Sequence, residues 1–324
     1  MTFSLAVLIT GGGLIGSHSA YLFQNNHVDF IILELNPQFE AINNIIPGSE
    51  NHVIKGSVLD RDLLEEVIRK HNVTRIVHTV ANPFLNAGAQ DNPYDAINLN
   101  IMGTANILEI SRKLDLDRVV FLSSATLTTN LSTVSEIGKM SENNIPRTTN
   151  IYSSTKLACE NLGLNYSSLY SLDFIALRPV GVFGPWKGRG GGGRSNMMKS
   201  LIENVSAGKV AFISPWVGEI VYVKDVAQAV FKATTGTDLK NRVYNIGMGK
   251  IYSPEEIISI VETQIPGARV IVDAGGDMLK FKPTIQMDSP LDLARSEKEL
   301  GYHPQYDMPA AIRDYYDWYK STFR

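Results

Sequence analysis

The chain has 324 residues, of which 44% are hydrophobic and 19% are charged, so it can bury the core of one extended domain or of a domain with a smaller lobe. Its formal net charge of −3, with no run of lysine or arginine, excludes a basic surface for a nucleic-acid partner. Cys159 is the only cysteine, which excludes an internal disulfide and a thiolate metal site and favours a cytoplasmic location.

Two further classes are disfavoured by the sequence. The first apolar stretch, residues 5–9, has the length of one strand and no basic leader, so we predict neither a signal peptide nor a membrane span. The histidines show no ligand-like spacing with one another, and we predict no metal site. His78 is expected to be a structural histidine with satisfied hydrogen bonds.

Short apolar runs alternate with longer amphipathic segments through the first half of the chain. Strands are predicted at residues 5–9, 30–33, 52–55, 75–78, 118–122 and 174–177. Helices are predicted at residues 14–24, 60–70, 94–113 and 152–168. This alternation predicts an α/β fold with a doubly wound parallel sheet of the Rossmann type and helices on both faces.

The pattern changes after Pro179, where mixed short elements and a glycine-rich run at residues 188–194 follow. We predict a dinucleotide-binding domain over residues 1–180 and a smaller C-terminal lobe, mainly for substrate, over residues 181–324. Residues 219–247 are expected to return to the main sheet.

A glycine-rich turn joins the first predicted strand to the first predicted helix. Its pattern is Gly11-x-Gly13-x-x-Gly16, with Leu14 and Ile15 between the last two glycines. Such a turn permits close approach of the backbone to a pyrophosphate and directs a positive helix end towards it. We therefore predict that these five residues bind a dinucleotide.

Glu34 stands at the predicted end of the second strand. A carboxylate there accepts hydrogen bonds from both adenosine ribose hydroxyls and repels a 2′-phosphate. No arginine follows among residues 35–38, so the sequence favours NAD over NADP. The competing interpretation is a solvated acid at a strand end.

Tyr152 and Lys156 stand four residues apart on a predicted helix and therefore share one face. An ammonium beside a phenol favours the ionised phenol, and we expect this to make Tyr152 a proton acceptor near neutral pH. The pair alone is a weak signal, but it follows a dinucleotide-binding turn.

Several motifs together resemble the extended short-chain dehydrogenase/reductase family, which includes NAD-dependent epimerases and dehydratases. They cover nearly the whole chain: Thr10-Gly-Gly-Gly-Leu-Ile-Gly-Ser-His18, Asn100-Ile-Met-Gly-Thr104, Phe121-Leu-Ser-Ser-Ala-Thr126, Tyr152-Ser-Ser-Thr-Lys156, Leu177-Arg-Pro-Val-Gly-Val-Phe-Gly-Pro185 and Leu300-Gly-Tyr-His-Pro304. The resemblance implies three catalytic residues, Ser124, Tyr152 and Lys156. It implies further cofactor-binding positions at Ser57, Val58, Val80, Ala81, Asn100 and Pro179. It also implies a homodimer formed through the helices at residues 94–113 and 152–168.

The chemistry expected of these residues is hydride transfer coupled to proton transfer. The Tyr152 phenolate would remove the proton of a secondary alcohol while its carbon delivers hydride to nicotinamide, and Ser124 would hold the substrate oxygen. Lys156 would hold the nicotinamide ribose and stabilise the phenolate together with the positively charged ring.

The chain departs from the family pattern at the cofactor site and beside the active-site serine. The glycine turn is one residue short of the usual spacing, and Ser57 replaces an aspartate that often faces the adenine amine. Ala125 and Thr126 stand where dehydratases of the family carry an acid/base pair, which disfavours dehydration.

Other departures concern the substrate. Gly181 and Gly218 stand where nucleotide-sugar enzymes of the family carry an asparagine and a diphosphate-binding arginine. A second phosphate contact is also missing at residues 280–283. A diphosphate requires charged partners, so these departures disfavour a nucleotide sugar.

Candidate substrate residues are Ser124, Thr126, Gly181, Arg189 and Arg194. The two arginines flank the glycine run, where they would either clamp a carboxylate or phosphate or decorate a surface loop. Four nearby aromatic residues would either wall a pocket or belong to the core: Phe183, Trp186, Phe212 and Trp216.

Our leading hypothesis is an NAD-dependent dehydrogenase or reductase that acts on a secondary alcohol or ketone of a small, sugar-like or carboxylated molecule. The first alternative is a nucleotide-sugar epimerase that uses transient oxidation by bound NAD. The second is a regulatory protein that senses dinucleotide without chemistry, although such a protein needs no poised phenol.

Overall fold

The structure is a computed structural model that describes residues 5–82, 89, 91–128, 138–215, 218–273 and 289–323. The first half of the chain forms β1 Ala6–Thr10, α1 Leu14–Asn25, β2 Asp29–Glu34, α2 Phe39–Asn43, β3 Val53–Lys55, α3 Arg61–Lys70, β4 Arg75–His78, α4 Pro93–Ile97, α5 Gly103–Lys113, β5 Arg118–Leu122, α6 Ile151–Tyr170 and β6 Phe174–Pro179. The second half forms β7 Gly181–Phe183, α7 Gly193–Ser206, β8 Ala211–Ile213, β9 Ile220–Tyr222, α8 Val223–Thr235, β10 Val243–Ile246, α9 Pro254–Gln264, β11 Val270–Val272 and α10 Met308–Thr322.

The main sheet confirms the predicted fold class. Within the described residues its strands are ordered β10-β6-β5-β4-β1-β2-β3, and all neighbouring pairs are parallel. Every residue of β1 and β5 is buried, as expected for strands covered by helices on both faces. The strand order reverses direction between β1 and β4, and such a switch point opens a crevice at the carboxyl ends of the strands.

The predicted helix at residues 94–113 is not one regular helix. A π-helical turn, Asn98–Met102, separates α4 from α5. Asn100 lies in this turn with its side chain buried, and its amide donates to Thr155 Oγ1 of α6 at 2.9 Å. A wide turn that coincides with a buried polar contact of this kind has no signal in the apolar periodicity.

The remaining predicted elements agree with the structure within about three residues. Helix α6 begins after Asn150, whose side chain accepts a hydrogen bond from Ser153 N at 2.8 Å, and extends to Tyr170. Strand β6 reaches Pro179, two residues beyond its predicted end.

The second half of the chain both completes the main sheet and builds a lobe of its own. Strand β10 lies beside β6, and α8 packs against α1. A separate apolar core is formed by α7, β8, α9 and α10, and it contains Met198, Ile257 and Ile312. In the described part of the chain, no helix is long and apolar enough to cross a membrane.

Candidate functional site

The glycine turn adopts the geometry that its residue types allow. Gly11 has φ +97°, a left-handed conformation that favours glycine. A Cβ at Gly16 would collide with the Gly11 carbonyl oxygen, so this position keeps the start of α1 against β1. A Cβ at Gly13 would meet nothing within 4 Å. The space in front of Gly13 is therefore open for a ligand.

The start of α1 suits an anion. Gly13 is the N-cap of this 12-residue helix, and it offers no side chain to the unpaired backbone N–H groups. The first turn also contains no acidic residue. The open turn and the uncapped helix end together fit the pyrophosphate of a dinucleotide, as the sequence predicts.

Glu34 lies at the rim of the same turn. Its carboxylate accepts hydrogen bonds from Gly12 N at 2.9 Å and from Asn36 N at 3.0 Å. These bonds hold an acceptor at the end of β2, beside the glycine turn, where an adenosine ribose would need it.

The other predicted cofactor positions lie at the carboxyl edge of the sheet or border it. Val80 and Ala81 follow β4, Pro179 ends β6, and Ser57 and Val58 follow β3. The Ser57 Oγ accepts from Leu59 N at 3.1 Å, and Val58 is buried.

Asn100 connects this edge of the sheet to α6 through side-chain hydrogen bonds. Its side-chain oxygen accepts from Asn82 N at 2.7 Å and its amide donates to Thr155, so it ties the segment after β4 to α6. These bonds fix the segment that follows Val80 and Ala81 relative to α6.

The three predicted catalytic residues meet at the end of β5. Ser124 follows this strand and is 7% exposed, and its hydroxyl is hydrogen-bonded to the Tyr152 phenol. Thr126 Oγ1 donates to Ser124 Oγ at 2.9 Å, and Thr126 N donates to the same oxygen at 3.2 Å. Ser124 is thus fixed from its own loop and presents its hydroxyl to the phenol.

Lys156 lies on the same helix as Tyr152, one turn further along. Its Nζ donates to the Leu122 carbonyl oxygen at 2.5 Å and stands 4.6 Å from the centre of the Phe121 ring. The Tyr152 ring centre is 5.9 Å from the same Nζ. Burial lowers the pKa of Lys156 to about 8.

The expectation that Lys156 makes Tyr152 acidic is wrong for the protein alone. Burial raises the pKa of Tyr152 to about 12, and the hydrogen bond from Ser124 lowers it only in part. The Lys156 ammonium is directed to a carbonyl oxygen instead of the phenol oxygen. A further positive charge near the phenol would favour its ionised form.

A buried ion pair, which was not predicted from the sequence, lies beside Ser123, the residue before Ser124. The Glu160 carboxylate accepts from Arg178 Nη2 at 2.5 Å, from Arg178 Nε at 3.0 Å and from Ser123 Oγ at 2.7 Å. Both charged side chains are nearly inaccessible. An arginine inside the otherwise apolar strand at residues 174–179 was the available signal, because a buried guanidinium requires an acid.

His78 is a structural histidine, as predicted. Its ring nitrogens contact Thr10 Oγ1 at 2.6 Å and Thr104 Oγ1 at 3.1 Å. Burial lowers its pKa to about 3, and it stays neutral.

The two candidate arginines occupy different places. The Arg189 main chain is bonded to the Gln38 side chain near the start of α2, and Arg189 is exposed. Arg194 lies in the first turn of α7, and its Nη1 donates to the Glu219 carbonyl oxygen at 2.6 Å. Its side chain lies against Gly181 and Gly218.

The aromatic residues near the lobe divide in the same way. Phe183 and Trp186 are buried in the apolar core, whereas Phe212 is 43% exposed. Trp216 and residues 280–283 lie outside the described residues. Within the described ranges, no cluster of histidine, cysteine or acidic side chains has the arrangement of a metal site.

Comparisons with known proteins agree with this geometry. The model of the NAD dependent epimerase/dehydratase family matches residues 7–247. A putative UDP-glucose 4-epimerase of Methanocaldococcus jannaschii is 29% identical over 98% of this chain and 99% of its own length.

Solved structures show the same fold. A UDP-glucose 4-epimerase of Thermotoga maritima, crystallised with UDP-glucose, superposes with a TM-score of 0.78 at 22% identity and covers 99% of this chain and all of its own. An L-threonine dehydrogenase of Clostridium difficile superposes with a TM-score of 0.83 at 23% identity and covers 99% of both chains.

Proposed function

The chain belongs to the NAD-dependent epimerase/dehydratase family and is an NAD-dependent enzyme of the extended short-chain dehydrogenase/reductase type, and we propose that it oxidises a secondary alcohol, or reduces the ketone, of a small molecule. The observation that carries the proposal is the hydrogen-bonded pair of Ser124 and Tyr152 at the end of β5, with Lys156 buried beneath it. These are the groups that coupled proton and hydride transfer needs.

The substrate side of the site supports a small molecule over a nucleotide sugar. Gly181 and Gly218 provide no side chain for a diphosphate, which needs several charged partners. The solved relatives also include L-threonine dehydrogenases, whose substrate is a hydroxy compound with a carboxylate. We therefore place a carboxylated secondary alcohol first and a free sugar second.

Each residue then has one task. When bound, NAD supplies the hydride acceptor. Ser124 Oγ holds the substrate oxygen, while Tyr152 Oη accepts the hydroxyl proton as the carbon–hydrogen bond breaks. Lys156 adds positive charge near the phenol and would hold the nicotinamide ribose. In reduction, Tyr152 returns the proton to the substrate oxygen.

The protein alone keeps Tyr152 protonated, with its pKa at about 12. The positive charge of oxidised cofactor is the additional charge that the phenolate needs, so proton removal is coupled to cofactor binding. This coupling suits an alcohol oxidation in which the base is formed only in the loaded site.

The test is a turnover assay with purified protein and NAD. L-threonine, 3-hydroxybutyrate and free sugars are offered separately, and NADH formation is followed by absorbance. We expect one class to be oxidised by the wild type, and Tyr152→Phe to lose at least about 10²-fold in kcat while it still binds NADH. Turnover that survives in Tyr152→Phe would refute the assigned mechanism.

A nucleotide-sugar 4-epimerase is the second candidate, because the curated relatives include UDP-glucose 4-epimerases at 25–29% identity. It would use the same Ser124, Tyr152 and Lys156, with hydride returned to the opposite face of the sugar. Conversion of UDP-glucose to UDP-galactose without net NADH would establish this candidate in place of the first.

We also propose a homodimer in the cytoplasm. Exposed apolar side chains on α4, α6 and the turn between α4 and α5 support pairing: Tyr94 at 78% exposure, Met102 at 50% and Leu169 at 70%. Light scattering of the wild type should give twice the chain mass, and Met102→Glu should shift it towards the monomer. A monomeric wild type would contradict the proposal.

A further inference from the structure

One arginine fills the space beside two glycines of the second lobe. A Cβ added at Gly181 would lie 2.5 Å from Arg194 Cδ and 3.2 Å from its Cβ. A Cβ added at Gly218 would lie 3.0 Å from Arg194 Nη2. Gly218 also has φ +90°, a conformation that disfavours side chains. A larger residue at either position would displace this arginine.

The Arg194 side chain is held by three segments of the chain. It originates in the first turn of α7, passes over Gly181 at the start of β7, and donates from Nη1 to the Glu219 carbonyl oxygen at 2.6 Å. The residue is half-buried, and burial lowers its pKa to about 10, so it stays charged at neutral pH. A partly desolvated guanidinium attracts an anion more strongly than one in water.

Its anchor is fixed in turn. The Glu219 side chain is fully buried, and its carboxylate accepts from Gly249 N at 2.8 Å and Leu291 N at 2.7 Å. Glu219, whose carbonyl oxygen accepts from Arg194, is thereby connected to the segment after β10 and to the segment that contains Leu291. The Arg194 guanidinium is therefore held in a defined position in the lobe.

Gly181, against which Arg194 lies, follows the strand that pairs with β5. Gly181 follows Pro179, the last residue of β6, by two residues, and β6 pairs with β5 in the register Leu122 to Leu177. Ser124 stands two residues after Leu122 on the adjacent strand end. Arg194 thus lies against a segment that leaves β6 beside the strand end that carries Ser124.

We propose that Arg194 binds the carboxylate of the substrate, and that Gly181 and Gly218 are glycines because this side chain needs their space. The proposal rests on the function proposed above and specifies its substrate class. A guanidinium can pair with one carboxylate in a bidentate manner. A diphosphate needs several charged partners, whereas one guanidinium is sufficient for a carboxylate.

The test compares each carboxylate with its neutral amide. Dissociation constants for L-threonine, 3-hydroxybutyrate and their primary amides are measured by calorimetry on the NADH-loaded protein. In the wild type, at least one acid should bind about ten- to a hundredfold more tightly than its amide. Arg194→Met should bring this ratio close to one, whereas Arg189→Met, the exposed neighbour, should leave it unchanged.

A second variant, Gly181→Ala, displaces the Arg194 side chain without removing it. Gly181→Ala places a methyl group 2.5 Å from Arg194 Cδ, so it should lower the acid-to-amide ratio in the same direction. Arg194→Lys, which keeps the charge and loses the bidentate geometry, should give an intermediate ratio. Arg194→Lys also tests the proposal if Arg194→Met fails to fold.

Three results would overturn the proposal: no discrimination between acid and amide in the wild type, an unchanged ratio in Arg194→Met, or an equal loss of both ligands and of NADH. The Tyr152→Phe variant separates this proposal from the proposed function. It should keep the acid-to-amide ratio of the wild type while turnover disappears. If the ratio is retained but neither the wild type nor any variant turns over a substrate, the proposed function is contradicted and the assignment of Arg194 is not.

Discussion

Removal of the charge on Glu160 should destabilise the protein strongly, although Glu160 contacts no substrate. Glu160→Gln leaves the Arg178 guanidinium buried without a counter-charge, since the two side chains are 2% and 4% exposed. The change weakens two charge-assisted hydrogen bonds from Arg178 and the bond from Ser123. Breaking a buried pair in this way costs about 3–5 kcal/mol, and we expect about 3 kcal/mol because glutamine retains one acceptor.

The assay is urea unfolding followed by circular dichroism, with Glu65→Gln as the matched control. Glu65 pairs with Arg69 on the exposed face of α3 at 2.7 Å, with exposures of 48% and 63%. An exposed pair of this kind contributes only about 0.3–0.5 kcal/mol. Equal losses in the two variants would refute the argument that burial makes the Glu160 pair essential.

Three further predictions concern the cofactor groove and the lobe. Gly16→Ala should weaken NADH binding by at least about tenfold, because its methyl group meets the Gly11 carbonyl oxygen; an unchanged fluorescence titration would contradict this. Glu34→Gln should raise the kcat/KM ratio of NADP over NAD, and a constant ratio in steady-state assays would remove Glu34 from cofactor selection. Burial raises the pKa of Glu219 from 4.5 to about 7, so the stability that this group contributes is full below about pH 4.5 and is lost as the pH rises through 7. Glu219→Gln should therefore flatten the pH dependence of urea unfolding in that window, and parallel profiles for the two proteins would contradict the assignment.

The alternation of apolar runs and amphipathic segments was sufficient for the main sheet, because both faces of β1 and β5 are buried and their residues are correspondingly apolar. The same pattern could not reveal the π turn at Asn98–Met102. This turn coincides with a buried hydrogen bond from the Asn100 side-chain amide and not with a change in apolar periodicity.

The glycine turn and the pair of Tyr152 and Lys156 were accessible from residue type and local spacing, whereas Ser124 was implied only by the resemblance to a known family. The pKa of Tyr152 was not accessible, because it depends on burial and on the direction of the Lys156 ammonium towards Leu122 O.

The substrate side shows the same limit. The sequence indicated that Gly181 and Gly218 lack polar side chains, but it could not show that one arginine from α7 lies against both. That contact joins three distant segments of the chain, and no local pattern encodes it.

Whether the substrate is a small secondary alcohol or a nucleotide sugar is tested most directly by thermal unfolding of the NAD-loaded protein with UDP, dTDP, GDP or CDP. A ligand that binds only the folded protein raises its unfolding temperature by mass action. We expect no shift with any of the four nucleotides, because a small secondary alcohol carries no nucleotide. A clear shift with one of them would contradict this expectation and identify the enzyme as one that acts on the corresponding nucleotide sugar.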